Sequence, residues 1–290
     1  MSANPTRVFA MARPAALPQP ARVDVQAFTR ANVSERWATD AAGVRALEVG
    51  DNVITMFETI GEDFWSGGGV TAKKVASQLR AIGDRPVEVQ INSRGGDMFE
   101  GIAIYNVLRE HSQAVTVKVM GMAASAASII AMAGDQVEVG AASFLMIHNC
   151  WVIAVGNRHD MRATADFLEP FDQAMADVYA DRSGQPVKDI ASWMDAETYL
   201  SGSRAVEVGL ADALLPADKV VVDEKARADD QKIAHLHAEE MRLVAGGLTL
   251  AAARERLVRT QATAGAPTPI PPQAGADWSG LSGLLETLRS

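Results

Sequence analysis

Two side chains suited to nucleophilic chemistry follow apolar runs that predict buried strands. Ser125 comes after the run at residues 115–120 and a turn of small residues, and a segment of high helical propensity follows it. A serine at such a turn presents its hydroxyl beside the free N–H groups of a helix N-terminus, which favour developing negative charge. His148 follows the run at residues 144–147. We expect both at the carboxyl edge of a parallel sheet, where active groups collect.

A serine needs a base to attack at neutral pH, and an imidazole base needs a partner that fixes its tautomer. An acidic residue precedes the run at 199–201, namely Glu197 or, as an alternative, Asp195. The pair Gly95-Gly96 follows a predicted strand at 87–91, and glycines allow backbone N–H groups to point into a pocket. The amide of Ala126 is a second candidate donor. This set predicts acyl transfer at a Ser–His pair with an oxyanion hole.

Each of these residues also has a structural interpretation. Ser125 could cap a helix, His148 could be a buried structural residue, the glycines could form an ordinary turn, and Glu197 could be a surface charge. Cys150 lies two residues from His148 and would share a strand face with it, so a Cys–His dyad stays open as an alternative. The remaining candidates are poorly placed, either inside a helix or in polar helical context: Ser128, His111, His159, His235 and His237.

The elements around these residues alternate between strands and helices. This order predicts an α/β fold with a parallel core built from βαβ units. The predicted strands lie near residues 53–60, 87–91, 115–120, 137–139 and 144–147, and the predicted helices near 71–82, 98–111 and 126–133. A long helical stretch at 157–182 contains Pro170, which we expect to kink or split it.

Composition divides the chain into three parts. Residues 1–45 are punctuated by prolines and predict a flexible arm, 46–222 predict the catalytic core, and 223–290 predict a charged helical tail with a proline-rich linker. The net charge of −9 argues against a nucleic-acid partner. The uncharged stretch at 119–134 is too short to span a membrane. The single cysteine excludes an intrachain disulfide and fits a reducing compartment, so we expect a cytoplasmic protein. We expect no cofactor and no bound metal.

The ordered motifs resemble the Clp protease proteolytic subunit over residues 50–222. They are INSRGG at 91–96, GIAIY at 101–105, GMAAS at 121–125, MIH at 146–148, YLS at 199–201 and AVEVGLAD at 205–212. The resemblance implies the ClpP/crotonase-like spiral of ββα units. It implies Ser125 as nucleophile, His148 as general base, and the amides of Gly96 and Ala126 as oxyanion donors. The family's third catalytic position falls on Glu197.

The chain departs from the bacterial housekeeping enzymes at two places. Those enzymes have an Arg-Asp pair where this chain has Ala196-Glu197, and a proline where it has Arg94. Residues 60–70 and 194–198 resemble the phage members of the family. That resemblance implies a head-maturation protease, an ATP-independent serine endopeptidase that cuts scaffold and capsid proteins and its own chain. It also implies a homo-oligomeric ring, in the host cytoplasm or the procapsid interior.

Four alternatives stay open. The first is a degradative peptidase that works with an ATP-driven unfoldase, and the second is an inactive scaffold protein with the same fold. The third is an acyl-CoA enzyme of the crotonase fold, which would need no serine. The fourth is a relative that uses a Ser–Lys dyad.

Overall fold

The computed structural model describes residues 29–46, 50–154, 156–216 and 219–264. The chain forms two compact units, Met1–Gly247 and Leu248–Ser290. The described elements of the first unit are, in chain order, α1 (Ala31–Asp40), β1 (Val44–Ala46), β2 (Val53–Met56), α2 (Ala72–Ile82), β3 (Val87–Ser93), α3 (Met98–Arg109), β4 (Val115–Ala124), α4 (Ala126–Ala131), β5 (Gln136–Gly140), β6 (Phe144–Ile147), α5 (Arg158–Ser183), α6 (Val187–Asp195), β7 (Thr198–Ser201), α7 (Gly202–Glu207), β8 (Ala213–Leu215), β9 (Val220–Val222) and α8 (Glu224–Ala245). The second unit contains α9 (Leu250–Ala264).

A mostly parallel sheet forms the centre of the first unit. Its order is β2-β3-β4-β5-β8 and all of these pairs are parallel. β6 runs parallel to β4, and β7 pairs with β6 in the antiparallel sense. The strands are buried Val- and Ile-rich runs, as expected where helices cover a parallel sheet. The predicted mixed α/β fold with a mostly parallel sheet is therefore confirmed.

β4 brings the candidate residues together because it pairs with two different strands. Its first half, Thr116 to Val119, pairs with β5, and its last residues, Met122 to Ala124, pair with β6. Since β4 and β6 are parallel and end side by side, the residues that follow them lie at one edge of the sheet. The sequence predicts that this strand ends at 120, but it continues through Gly121 to Ala124.

The chain on either side of the core is more ordered than the sequence indicates. Residues 31–40, predicted as part of a flexible arm, form α1, whose buried side chains include Val33 and Trp37. The Trp37 indole donates to Asn92 Oδ1 at 3.0 Å, so α1 is tied to the end of β3. α8, predicted as part of a tail, belongs to the same compact unit and packs against α1. The predicted arm at 1–28 and the proline-rich linker at 265–275 lie outside the described residues.

Two further helices bear on sequence expectations. α5 continues through Pro170 as one helix of 26 residues, so the proline does not split it. α4 is short and fully buried, and it begins directly after Ser125. Among the described residues, no helix is long and apolar enough to cross a membrane.

Candidate active site

Ser125 occupies a strained turn between β4 and α4. Its backbone has φ 55° and ψ −126°, a conformation that residues other than glycine rarely adopt. The Ser125 N–H donates to Met146 O at 3.0 Å, which fixes the turn against the end of β6. The side chain makes no capping hydrogen bond to α4. The hydroxyl is therefore presented away from the helix rather than used to cap it.

His148 faces that hydroxyl. Its Nε2 lies 2.7 Å from Ser125 Oγ, and the residue is only 6 % exposed. Burial, and secondly the charge of Arg30, lower the pKa of His148 to about 4. The imidazole is therefore neutral near pH 7, with Nε2 free to accept the serine proton. The structure thus brings the two predicted residues into proton-transfer distance.

The glycine pair lies against the turn that carries the serine. Gly95 has φ 90°, and a Cβ there would sit 2.5 Å from Ala124 O and 2.7 Å from Ser125 Cβ. Gly95 O accepts from Ile60 N at 3.0 Å, and Asp97 N donates to Ile60 O at 2.8 Å. In this parallel bridge the N–H of Gly96 points away from Ile60. A glycine is required at position 95 because the loop backbone lies too close to the Ser125 turn to leave room for a side chain.

The two predicted oxyanion donors line one small pocket together with Ser125 and His148. Gly96 and Ala126 both border it, and its cavity volume is only about 10 Å³. Within the part of the chain that the structure describes, neither amide makes a hydrogen bond to protein. Ala126 opens α4, where the first N–H groups have no partner inside the helix. Both amides therefore border the space beside the Ser125 hydroxyl, and their role as oxyanion donors stays a prediction.

The structure does not bring the predicted third residue to His148. The carboxylate of Glu197 pairs with Arg30 and accepts from Asn32 Nδ2 at 3.4 Å. Asp195 accepts from Asn149 Nδ2 at 2.7 Å. Across the described ranges, neither carboxylate forms a hydrogen bond or ion pair with His148. The role of Glu197, and of Asp195 as its alternative, stays a prediction.

The thiol of Cys150 is held in its protonated form, which is not nucleophilic. Cys150 borders the same pocket, but burial, followed by the nearby Asp172 carboxylate, raises the pKa of its thiol far above the ordinary value. The Cys150 N–H donates to Asp172 Oδ1 at 2.6 Å. The geometry therefore favours the Ser–His pair over the Cys–His alternative. Among the described residues, no group of three or more His, Cys, Asp or Glu side chains could hold a metal ion.

Several residues near the site could not be found from the sequence. Arg30 acts on both His148 and Glu197, yet it lies in a stretch that the sequence predicts as an arm. Met98, Trp151 and Met175 complete the pocket lining from three separate parts of the chain. Met98 and Trp151 follow Gly96 and His148 closely in the chain, whereas only the long-range packing of α1 and α5 brings Arg30 and Met175 to the site.

Comparison with known proteins shows similarity over the central part of the chain. The family model for Clp protease matches residues 69–218. The ATP-dependent Clp protease proteolytic subunit of Ligilactobacillus salivarius is 30% identical over 140 residues, covering 48% of this chain and 71% of that protein. Proteolytic subunit 1 of Prochlorococcus marinus is 28% identical over 148 residues, covering 49% and 76%. A point mutant of ClpP1 from Listeria monocytogenes superimposes with a TM-score of 0.49 at 19% identity, covering 61% of this chain and 95% of that one.

Proposed function

Because this chain belongs to the Clp protease family, we propose that it is a serine endopeptidase that works through an acyl-enzyme. Ser125 is the nucleophile and His148 the general base. The 2.7 Å contact between Ser125 Oγ and His148 Nε2, beside two uncommitted amides, carries this proposal. Acyl transfer at an activated serine requires these parts in this arrangement.

The reaction follows from the placement of the protons. Neutral His148 accepts the hydroxyl proton at Nε2 as Ser125 Oγ attacks the scissile carbonyl. The carbonyl oxygen becomes negatively charged and accepts hydrogen bonds from the amides of Gly96 and Ala126. His148 then returns the proton to the leaving amine, and a water molecule repeats the sequence on the acyl-enzyme. One oxyanion donor of this kind typically lowers the activation free energy by about 3 kcal/mol.

Glu197 is the proposed third member of the site. For that role its carboxylate must leave Arg30 and Asn32 and turn to His148 Nδ1, where a negative charge would stabilise the imidazolium that forms during attack. Comparing kcat of Glu197→Gln with that of Asp195→Asn assigns the role. Whichever substitution lowers kcat more, with KM unchanged, identifies the carboxylate that orients the base.

We further propose that the biological reaction is the maturation cleavage of shell and scaffold proteins without ATP. The support is the resemblance of residues 60–70 and 194–198 to phage members of the family, together with the long segments outside residues 69–218. The substrates would be proteins, including this chain, and the enzyme would act as a homo-oligomeric ring. The alternative, degradation fed by an ATP-driven unfoldase, is favoured by the names of both relatives, which are ATP-dependent proteolytic subunits.

One experiment separates these proposals. Purified wild type, Ser125→Ala and Ser203→Ala, which changes an exposed serine on α7, are incubated with an unfolded protein and followed by mass spectrometry. We expect cleavage without ATP by wild type and Ser203→Ala and none by Ser125→Ala. Cleavage by Ser125→Ala would refute the serine mechanism. Cleavage that needs ATP and an added unfoldase would replace the maturation role with the degradative one.

A further inference from the structure

A cluster of ionisable side chains, three buried and one partly buried, lies next to the loop that contains Gly95 and Gly96, which we call the glycine loop. Its members are Asp63, from the segment that follows β2, Arg94, from the loop after β3, and His237 and Glu240 from α8. Arg94 is 4 % exposed and Glu240 is 1 % exposed. Burying charges is costly unless they are paired, so such a cluster persists only where its contacts are specific. We refer to these four residues as the buried charge cluster.

Contacts within the buried charge cluster join three separate segments. His237 Nε2 lies 2.9 Å from Asp63 Oδ1, and His237 Nδ1 lies 3.7 Å from Glu240 Oε2. Asp63 Oδ2 accepts from Thr59 Oγ1 at 2.7 Å and lies 3.6 Å from Arg94 Nη2. His237 therefore connects α8 to Asp63, and Asp63 in turn contacts Arg94.

The aromatic residue next to the cluster fixes its other end. The Trp65 indole N–H donates to Glu240 Oε2 at 2.8 Å, which ties the segment after β2 to α8 a second time. Burial lowers the pKa of Arg94 to about 10, and the charges of Asp63, Asp230 and Glu240 oppose that shift. Arg94 therefore remains a cation at neutral pH, paired with Asp63 and stabilised by the charges of two further carboxylates. The charge of Arg94 is therefore stabilised by several carboxylates together rather than by one ion pair.

The cluster is directly connected to the glycine loop, because Arg94 immediately precedes Gly95. The guanidinium donates to Thr59 Oγ1, and the neighbouring residue Ile60 holds the loop through both of its backbone bonds, to Gly95 O and Asp97 N. The same short segment, 59–63, is thus fixed by α8 on one side and fixes the loop on the other. The direction of the Gly96 N–H depends on this segment.

We propose that His237 and Glu240 are positioning residues that hold the Gly96 amide at the oxyanion position through Asp63 and Arg94. The proposal rests on the proposed peptidase function and assigns α8 a part in it. Asp63, His237 and Glu240 all lie outside the matched residues 69–218. α8 is therefore a working part of the catalytic unit, and removal of residues 223–290 would disable the enzyme.

His237 offers the sharpest test, because α8 contains a matched control. His235 lies two positions away and is exposed. In the full-length protein, we expect His237→Ala to lower kcat on a peptide substrate by about 10–100-fold with KM changed less than about twofold. His237→Gln, whose side-chain amide can still donate to Asp63, should restore most of kcat. His235→Ala should match wild type.

Inhibition by a peptide aldehyde separates positioning from general loss of structure. The aldehyde forms a tetrahedral adduct with Ser125 whose oxygen occupies the oxyanion position. Its Ki should rise in His237→Ala by about the same factor as kcat falls, while KM stays constant. A variant with wild-type kcat and Ki, or one in which KM and Ki rise together, would overturn the proposal.

A second pair of variants covers the case in which His237→Ala does not fold. Glu240→Gln preserves size and removes a buried charge, whereas Glu239→Gln changes the exposed neighbour that pairs with Arg242. Only Glu240→Gln should lower kcat and raise Ki. A wild-type protein without activity would refute the proposed function, whereas an active wild type with an unchanged Glu240→Gln would refute only the positioning role.

Discussion

Substituting Gly95 by alanine tests the contact between the glycine loop and the serine turn. An added Cβ would lie 2.5 Å from Ala124 O, 2.7 Å from Ser125 Cβ and 3.1 Å from Ala126 N. The first of these distances is about 1 Å shorter than ordinary van der Waals contact. The loop must therefore move away from the serine turn, and the Gly96 amide must move with it.

The size of the effect follows from two separate terms. The backbone term, from φ 90° at a residue that is not glycine, costs about 1–3 kcal/mol of folding free energy. The displacement term acts on catalysis, since a misplacement of about 1 Å costs on the order of 100-fold in rate. Gly83→Ala isolates the first term, because Gly83 has φ 72° and nothing within 4 Å of its added Cβ.

Thermal unfolding and steady-state kinetics on the same samples measure both terms. Both variants should lose thermal stability, by about 2–4 °C per kcal/mol. Only Gly95→Ala should lose kcat, by about 100-fold, with KM little changed. If Gly95→Ala keeps the kcat of wild type, or if Gly83→Ala loses as much, the loop does not act on the reaction centre and the reasoning is refuted.

Three further predictions concern the charges and nucleophiles of the site. Burial and Arg30 lower the pKa of His148 to about 4, and protonation removes the nitrogen lone pair that accepts the serine proton. We therefore expect kcat/KM to fall only as the pH drops through about 4. An acid limb near the ordinary histidine pKa would contradict this. Arg30→Gln removes a nearby cation, so the His148 pKa should rise and the acid limb of the same profile should move to higher pH; an unmoved limb would show that Arg30 does not act on His148. Cys150→Ala should leave kcat within about twofold of wild type, because burial holds the thiol protonated, whereas a loss of more than about tenfold would favour the Cys–His alternative.

The sequence predicts those parts of the site that depend on local patterns. Alternating strands and helices predict the parallel sheet, and a serine or histidine directly after an apolar run predicts a position at its edge. Ser125 and His148 meet because both β4 and β6 end there. The split pairing of β4 could not be predicted, because three of the four residues that extend it, 121–124, are glycine or alanine, which carry weak strand propensity.

Features outside the core could not be predicted, because they depend on contacts between distant segments. α1 has only Val33 and Trp37 as large apolar residues, and α8 shows a charged sequence typical of a solvated helix. The structure brings the partly buried His237 and the buried Glu240 close to Asp63 and Arg94, which are more than 140 positions away in the chain. The Arg30–Glu197 pair is likewise long-range. Single-sequence patterns carry no information on such pairings.

The most direct measurement of the central claim is covalent labelling of the full-length protein by a fluorophosphonate, which reacts with serines that are activated by a base. Peptide mapping by mass spectrometry should locate one adduct, on Ser125, and His148→Ala should react at least about 100-fold more slowly. A wild-type protein that stays unlabelled, that carries the adduct on another serine, or that reacts equally fast without His148 would contradict the account.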